Sequence, residues 1–299
     1  MSFFNNAIVS VTELMPKSVV GFFSRKYIAG ESLEAGIKVV RELNSKGILA
    51  TMDVLGESVT NNTEAENAKN KASQVLDAII KHNLNANLSI KPTQMGLSID
   101  EEFAFAQVLE LVKKADGMKN FVRIDMEDSP YTDKTFNLFK KIFTEYKNVG
   151  VVIQAYLRRA HSDVVNLNKL GANYRLCKGI YVEPAGIAYK GKQEVRDNYL
   201  KILKEMLTSG NYVGIATHDT YLIDSAYKLI KEMNISKDKF EFQMLLGVRE
   251  DLRDKINADG YKIRIYVPFG KEWYAYSIRR LKENPQMAGH IVKNIFGIR

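Results

Sequence analysis

The chain has 299 residues, 45% of them hydrophobic and 26% charged, the balance of a globular protein with room for a large core. Lys+Arg 43 against Asp+Glu 35 leaves a net +8, but the basic residues are scattered and form no tract, so nucleic acid is not an expected partner. Cys177 is the only cysteine, which excludes an intrachain disulfide and fits a reducing compartment.

An N-terminal helical stretch comes first, and then apolar β-type runs alternate with amphipathic helical runs. Strands are expected at 48–55, 86–91, 121–126, 150–156, 173–178, 212–217, 240–246 and 261–267. Helical spacing fills the intervals, most clearly over 65–82, 101–114 and 221–233. Such alternation builds a parallel sheet covered by helices. Gly47, Gly117, Gly171, Gly210 and Gly260 each stand shortly before a strand, where a helix ending in a left-handed residue would place them. Eight units in about 250 residues have the size of a TIM-type (β/α)8 barrel. An open doubly wound sheet is the alternative, because periodicity does not show closure. No Pro/Gly/Ser-rich linker interrupts the pattern, so one domain is expected: a helical preface over 1–45, the barrel over 46–285 and a tail over 286–299.

In a parallel barrel, functional groups gather at the carboxyl ends of the strands. Those ends carry Asp53 and Glu57, Lys91, Asp125 and Glu127, Gln154 and Tyr156, Arg175 and Lys178, Thr217 and His218, Glu241 and Gln243, and Tyr266. Each has a plainer use. Lys91 and Lys178 suit a solvated rim, Asp125 and Glu127 a strand end meeting water, and His218 a helix cap or a satisfied core hydrogen bond. Cys177 suits a small buried hydrophobe and Trp273 packing. Beyond the last strand, a helix would set Tyr276, Arg279 and Arg280 on one face. Two guanidiniums there can clamp a carboxylate, although a solvated basic helix has the same pattern. His82, His161, His218 and His290 lack metal-ligand spacing, so no metal is expected. Gly-x-Gly-x-x-Gly, P-loop and Gly-x-Ser-x-Gly motifs are absent, so the barrel itself would have to hold any nucleotide cofactor.

The first residues show no basic region followed by a long apolar run, and no 18-residue apolar stretch occurs. The expected setting is the cytoplasm. Peripheral contact with the anionic inner face of the membrane stays open, given the +8 charge.

Five blocks, read together, resemble the proline dehydrogenase family. They are Arg175-Leu-Cys-Lys178-Gly179-Ile-Tyr181-Val-Glu183-Pro184, Ala216-Thr217-His218-Asp219, Glu241-Phe-Gln243-Met-Leu245-Leu-Gly247, Arg264-Ile-Tyr266-Val-Pro268-Phe-Gly270 and Tyr276-Ser-Ile-Arg279-Arg280-Leu-Lys-Glu283. The resemblance runs from about residue 45 to 285, with the blocks in the family's order. It implies a distorted (β/α)8 barrel and bound FAD. It also implies oxidation of L-proline to Δ1-pyrroline-5-carboxylate by hydride transfer from C5 to flavin N5, with a membrane quinone as final acceptor. Carried over by position, Arg175 resembles the arginine near N5, while Gln154, Lys178, Gly179, Thr217 and His218 match the flavin-contacting set and Glu283 reaches the ribityl or nucleotide part. Lys91, Arg279 and Arg280 match the cations that hold the substrate carboxylate. Tyr181, Leu245, Tyr266 and Tyr276 match the walls around the ring, and Asp125 a residue that orients the cluster. The catalytic set implied is Arg175, Tyr266 and Lys91.

A phenol at 266 implies preference for proline over 4-hydroxyproline, since family members that take the latter carry a smaller residue there. Val182 stands where large bifunctional relatives carry tryptophan, so the short monofunctional bacterial type is the nearer likeness. Oxidation of the product then falls to a separate pyrroline-5-carboxylate dehydrogenase. The stretch 183–192 suits a cover over the site. Two other readings remain open from the residues: a Schiff-base aldolase with Lys178 or Lys91 as nucleophile, and a basic barrel used only for binding.

Overall fold

The computed structural model describes residues 20–21, 24–56, 58–274 and 276–278. Helix α1 (Leu33–Asn44) precedes the first strand; its N-cap Ser32 accepts the backbone N–H of Ala35. The chain then runs β1 (Leu49–Val54), α2 (Asn62–Lys81), β2 (Ala86–Ile90), a 3-10 turn (Pro92–Met95), α3 (Glu101–Gly117), β3 (Val122–Ile124) and α4 (Thr132–Phe143). It continues with β4 (Val149–Gln154), α5 (Ala160–Asn168), β5 (Asn173–Cys177), α6 (Lys192–Thr208), β6 (Val213–Ala216), α7 (Thr220–Glu232), β7 (Phe240–Leu245), α8 (Glu250–Ala258) and β8 (Ile263–Phe269).

All eight strands pair in parallel with their sequence neighbours, and β8 pairs back onto β1 from Leu49↔Arg264 through Val54↔Phe269. The sheet is therefore a closed barrel, which removes the doubly wound alternative. Among the described residues no helix is long and apolar enough to cross a membrane. The strand at 121–126 is shorter than expected, because only Val122 to Ile124 find partners on both sides. The last strand starts two residues later than expected and runs on through Pro268 to Phe269, where it lines up with Asp53 and Val54.

Four of the five expected glycines do sit left-handed, with φ between +74° and +75° at Gly47, Gly171, Gly210 and Gly260. Gly117 does not. It is the last residue of α3, and Lys119 (φ 52°) makes the left-handed turn instead.

The two faces of the sheet have opposite chemistry. Outward residues such as Met52, Leu88, Ile124, Val151, Leu176, Ile215, Phe242 and Ile265 belong to one continuous core between strands and helices. Inward residues are largely polar, as contacts between non-adjacent strands require. Arg123 on β3 donates to the carbonyl and side-chain oxygens of Asn173 on β5, and Arg175 on β5 reaches both Asp125 and Gln243. Ordinary TIM barrels fill this space with branched apolar side chains.

Room for such long polar groups comes from missing side chains. A Cβ on Gly150 of β4 would lie 2.3 Å from Arg123 Nη1 and 2.6 Å from the Asn173 carbonyl oxygen, and one on Gly214 of β6 would lie 2.4 Å from Gln243 Nε2. Gly150→Ala is therefore expected to lower stability by about 1–3 kcal/mol, the usual range for overpacking. Urea denaturation measures it, and an unchanged midpoint would mean that Arg123 does not fill the barrel beside β4.

Candidate active site

The ends of β1, β2, β3, β5 and β8 bring one charged group together. Lys91, just past β2, directs Nζ at both carboxylate oxygens of Asp53 on β1, at 2.9 and 2.8 Å. Asp53 is only 1% exposed, so its charge has to be matched locally. Burial disfavours the Lys91 ammonium, but Asp53 and Asp125 outweigh burial and raise its pKa above the ordinary lysine value. Lys91 thus remains a cation, with two of its donor directions engaged.

Asp125, just past β3, is the hub. Its Oδ1 accepts from Ser89 Oγ (2.7 Å) and from Arg175 Nη1 (2.6 Å), while Oδ2 accepts from the Tyr266 hydroxyl (2.9 Å). The Arg175 guanidinium also lies 5.2 Å from the Tyr266 ring centroid. Its Nε donates to Gln243 Oε1 at 2.6 Å. Nε and Nη1 are both occupied, and among the described residues Nη2 has no partner. Tyr266 is pushed well above the ordinary phenol pKa, first by burial and then by the Asp125 and Asp53 charges, so it stays a neutral donor.

Beneath Arg175 the contacts continue inward. Gln243 Nε2 donates to Glu241 Oε1 (2.6 Å), and Arg264 clamps both Glu241 oxygens at 2.6 and 3.0 Å. Burial would raise the Glu241 carboxyl, but the Arg264 charge and the hydrogen bonds from Arg264, Gln243 and Tyr212 hold it below the ordinary range. Glu241 and Gln243, expected at the mouth, therefore lie inside the barrel under it.

The ends of β4, β5 and β6 form a second cluster beside the first. Gln154 donates from Nε2 to the Met126 carbonyl (3.4 Å), and its Oε1 is buried with no partner among the described residues. Gly179 has φ +104°, and a side chain there would collide with the Tyr156 ring, 2.1 Å from the nearest carbon. Lys178 Nζ stands 3.6 Å from Asp219 Oδ2, and Asp219 also pairs with Arg196. The Thr217 hydroxyl accepts the Asp219 backbone N–H. His218 Nε2 accepts the backbone N–H of Leu245 at 2.9 Å, so that nitrogen is unprotonated and the ring ties β6 to β7 rather than capping α7.

The remaining expected residues fall as follows. Leu245 is the register partner of Tyr266. Tyr181 is half-buried on the loop after β5. Tyr276 is buried against Ile28 and Leu55. Trp273 packs on Gly21 and donates to Glu31. Arg279, Arg280, Glu283 and Glu57 lie outside the described residues. The 183–192 segment is fastened at both sides: Glu183 accepts from the backbone N–H and hydroxyl of Ser129, the Arg158 backbone N–H donates to the Ile187 carbonyl, and the Tyr189 backbone N–H donates to the Tyr156 carbonyl. Glu127 does not meet solvent; it accepts from the backbone and hydroxyl of Thr93 and so braces the turn that Lys91 caps.

Ser89 and the pairing of Arg264 with Glu241 are the parts that sequence reasoning did not find, while Asp53, Glu241 and Gln243 were placed at strand ends without a role. The sign that was available is glycine inside two strands, Gly150 and Gly214, marking where something long passes close.

The family described as Proline dehydrogenase matches residues 36–293. Proline dehydrogenase 1 of Bacillus subtilis (strain 168) is 36% identical over 272 residues, covering 91% of this chain and 90% of that protein. Proline dehydrogenase 2 of the same strain is 39% identical over 260 residues, covering 87% and 86%. The Proline dehydrogenase of Deinococcus radiodurans is 35% identical over 277 residues, covering 91% and 89%. Among solved structures, proline utilization A (PutA) from Bdellovibrio bacteriovorus, inactivated by N-propargylglycine, superposes with a TM-score of 0.81 at 25% identity. That match covers 89% of this chain but 33% of the longer protein. With a closed eight-stranded barrel, a family match over most of its length and monofunctional relatives of nearly the same extent, the chain belongs to the proline dehydrogenase family.

Proposed function

We propose that this protein oxidises L-proline to Δ1-pyrroline-5-carboxylate at the mouth of the barrel, using FAD, with a quinone as the final electron acceptor. The observation that carries the reading is the Arg175 guanidinium, clamped by Asp125 and Gln243, with Nη2 unengaged among the described residues, beside a buried amide oxygen that no described residue satisfies.

The residues present fit a flavin. Gln154 Oε1 is a buried acceptor with no donor among the described residues, suited to a ring N–H, and Gly179 brings backbone close where any side chain would collide. Lys178, Thr217 and His218 stand around the same strand ends, and with Glu283 they complete the proposed cofactor set. Bound there, FAD supplies the hydride acceptor for proline C5 and a path for the electron pair to the quinone.

The chain's own groups do the rest. Arg175 supplies a fixed positive charge where negative charge develops, with no reorganisation needed at that moment. Lys91, with Arg279 and Arg280, holds the substrate carboxylate; Asp53 uses two of the Lys91 donor directions and steers the remaining one. Tyr181, Leu245, Tyr266 and Tyr276 wall the ring and exclude water. As hydride leaves C5, the nitrogen lone pair forms the C=N bond, which requires the amine to be unprotonated. Of the two candidate aldolase nucleophiles, Lys91 is disfavoured by its own partner. A lysine held as a cation by a bidentate carboxylate is a poor nucleophile.

Anaerobic titration with L-proline tests the proposal: yellow protein should bleach as proline is added. A colourless preparation trapped by borohydride in the presence of a carbonyl substrate would replace the flavin with a Schiff base. The same titration with trans-4-hydroxyproline should require far higher concentrations, because the Tyr266 phenol, anchored on Asp125, cannot swing away from a ring hydroxyl. Equal bleaching by the two would remove Tyr266 as the discriminating wall.

A further inference from the structure

We propose that Gln243 is a positioning residue for Arg175, the upper link of a buried relay that runs through Glu241 to Arg264 and sets the electrostatics of the flavin site. The inference rests on the functional reading above and goes beyond it, to a residue outside the proline and flavin sets named there.

The geometry is directional at every link. Arg175 can only donate, so the Gln243 group facing Nε has to be the amide oxygen. That orientation turns the amide nitrogen to Glu241, a carboxylate that can only accept. Glu241 is held ionised by Arg264, whose Nη1 is anchored on the Ala50 carbonyl at 2.8 Å. Each partner dictates the orientation of the next, and the amide cannot flip without setting donor against donor and acceptor against acceptor.

A glutamine is the only ordinary side chain of this length that both accepts from Arg175 and donates to Glu241 while adding no charge. Gly214 leaves the volume it occupies, since a Cβ there would stand 2.4 Å from Gln243 Nε2. Asp125 holds the guanidinium from the other side through Nη1. Two anchors from opposite walls leave a planar group no freedom to rotate, and Nη2 is the vertex that remains. With one anchor the plane pivots about Nη1. A displacement of the order of 1 Å at a reacting centre costs about 10²-fold in rate.

The charged and titratable groups around Gln243 are Glu241 on its own strand, Arg264 and Tyr266 on β8, Arg175 on β5, Arg123 and Asp125 at β3, and Tyr212 before β6. This buried and half-buried set contains three arginines and two carboxylates, so an additional carboxyl at position 243 would sit between Arg175 and Glu241 and titrate in their field.

The test uses the flavin-loaded protein and two substitutions, Gln243→Leu and Gln243→Glu, with anaerobic stopped-flow bleaching by L-proline, proline affinity from its concentration dependence, and the flavin midpoint potential. Gln243→Leu should slow bleaching by about 10-fold to 10²-fold and shift the potential to more negative values, with proline affinity within about threefold of the parent. Relative to the parent at the same pH, Gln243→Glu should be slow at alkaline pH, where an ionised carboxylate offsets the Arg175 charge and repels Glu241, and should recover towards the parent as pH falls, because a protonated carboxyl offers one carbonyl oxygen to Arg175 and one O–H to Glu241. The recovery supplies a readout that loss of packing would not produce, and it carries the test if Gln243→Leu fails to fold. Parental rate and potential in Gln243→Leu, or a Gln243→Glu pH profile that matches the parent, would overturn the relay. Absence of bleaching in the parent protein would instead remove the functional reading itself.

Discussion

Arg175→Met is expected to slow flavin reduction by L-proline by about 10²–10³-fold, the usual loss when one preorganised donor to a developing charge is removed. It should also destabilise the fold. Asp125 would keep Ser89 and Tyr266 but lose the Arg175 guanidinium, and Gln243 Oε1 would lose the donor it has among the described residues. Breaking a buried pair from one side costs about 3–5 kcal/mol. Arg175→Lys separates the two roles. An ammonium restores charge but has no fork, so it can reach Asp125 or Gln243 and not both. Its melting behaviour should approach the parent while its bleaching rate stays depressed by at least about tenfold. Stopped-flow bleaching alongside chemical denaturation reads both, and a parental bleaching rate in Arg175→Met would take Arg175 out of the chemistry.

Lys91→Met is expected to raise proline KM by about 10²-fold or more and to cost about 3–5 kcal/mol of stability, because Asp53 is left as an uncompensated buried carboxylate. The pH dependence of that loss has a definite sign. Asp53 already sits above the ordinary carboxyl pKa, first through burial and further through Asp125, with Lys91 the main influence pulling it down. Removing Lys91 raises it further. A carboxyl with a folded pKa above its unfolded one binds its proton more tightly when folded, so the variant is relatively stabilised at low pH and loses that support as pH rises through the folded value. The deficit should therefore be smaller at pH 5 than at pH 8. In the parent, the raised Lys91 pKa contributes stability that is complete below the unfolded lysine value of about 10.4 and fades only as pH climbs through the folded one. Lys91→Met combined with Asp53→Asn should recover most of the stability and none of the proline affinity. If affinity also returned, Lys91 would be a structural counter-ion to Asp53 and not a substrate ligand.

The barrel was readable in the sequence because its signals are local. Each strand is an apolar run bounded by turn residues, and helix ends carry glycine where left-handed backbone is needed. Gly117 misled because the helix could run through it and let Lys119 take the strained position. The expected strand at 121–126 was too long because apolar character extends to Met126 while pairing ends at Ile124. The mouth residues were readable one by one and their partnerships were not. Asp53 and Lys91 are separated by 38 positions and Arg175 and Gln243 by 68, distances over which spacing says nothing about contact. Glu241 looked like one more group at a strand end, yet it is one pleat below Gln243 and points at Arg264. Nothing in the local pattern marks Arg123, and the space cleared for it by Gly150 is visible only in the folded barrel.

Putting the oily mass outside the cylinder of strands and the ionic chain within it uncouples two kinds of change. Exchanges among Ile, Val and Leu on the outer shell alter how tightly helices seat and can accumulate one at a time. The inner chain has no such latitude, since each member is matched in sign and in donor–acceptor sense to the next, so drift there has to proceed in concerted sets. A lone lesion at Arg264, near the floor, should accordingly behave as a defect of turnover even though substrate never comes near it.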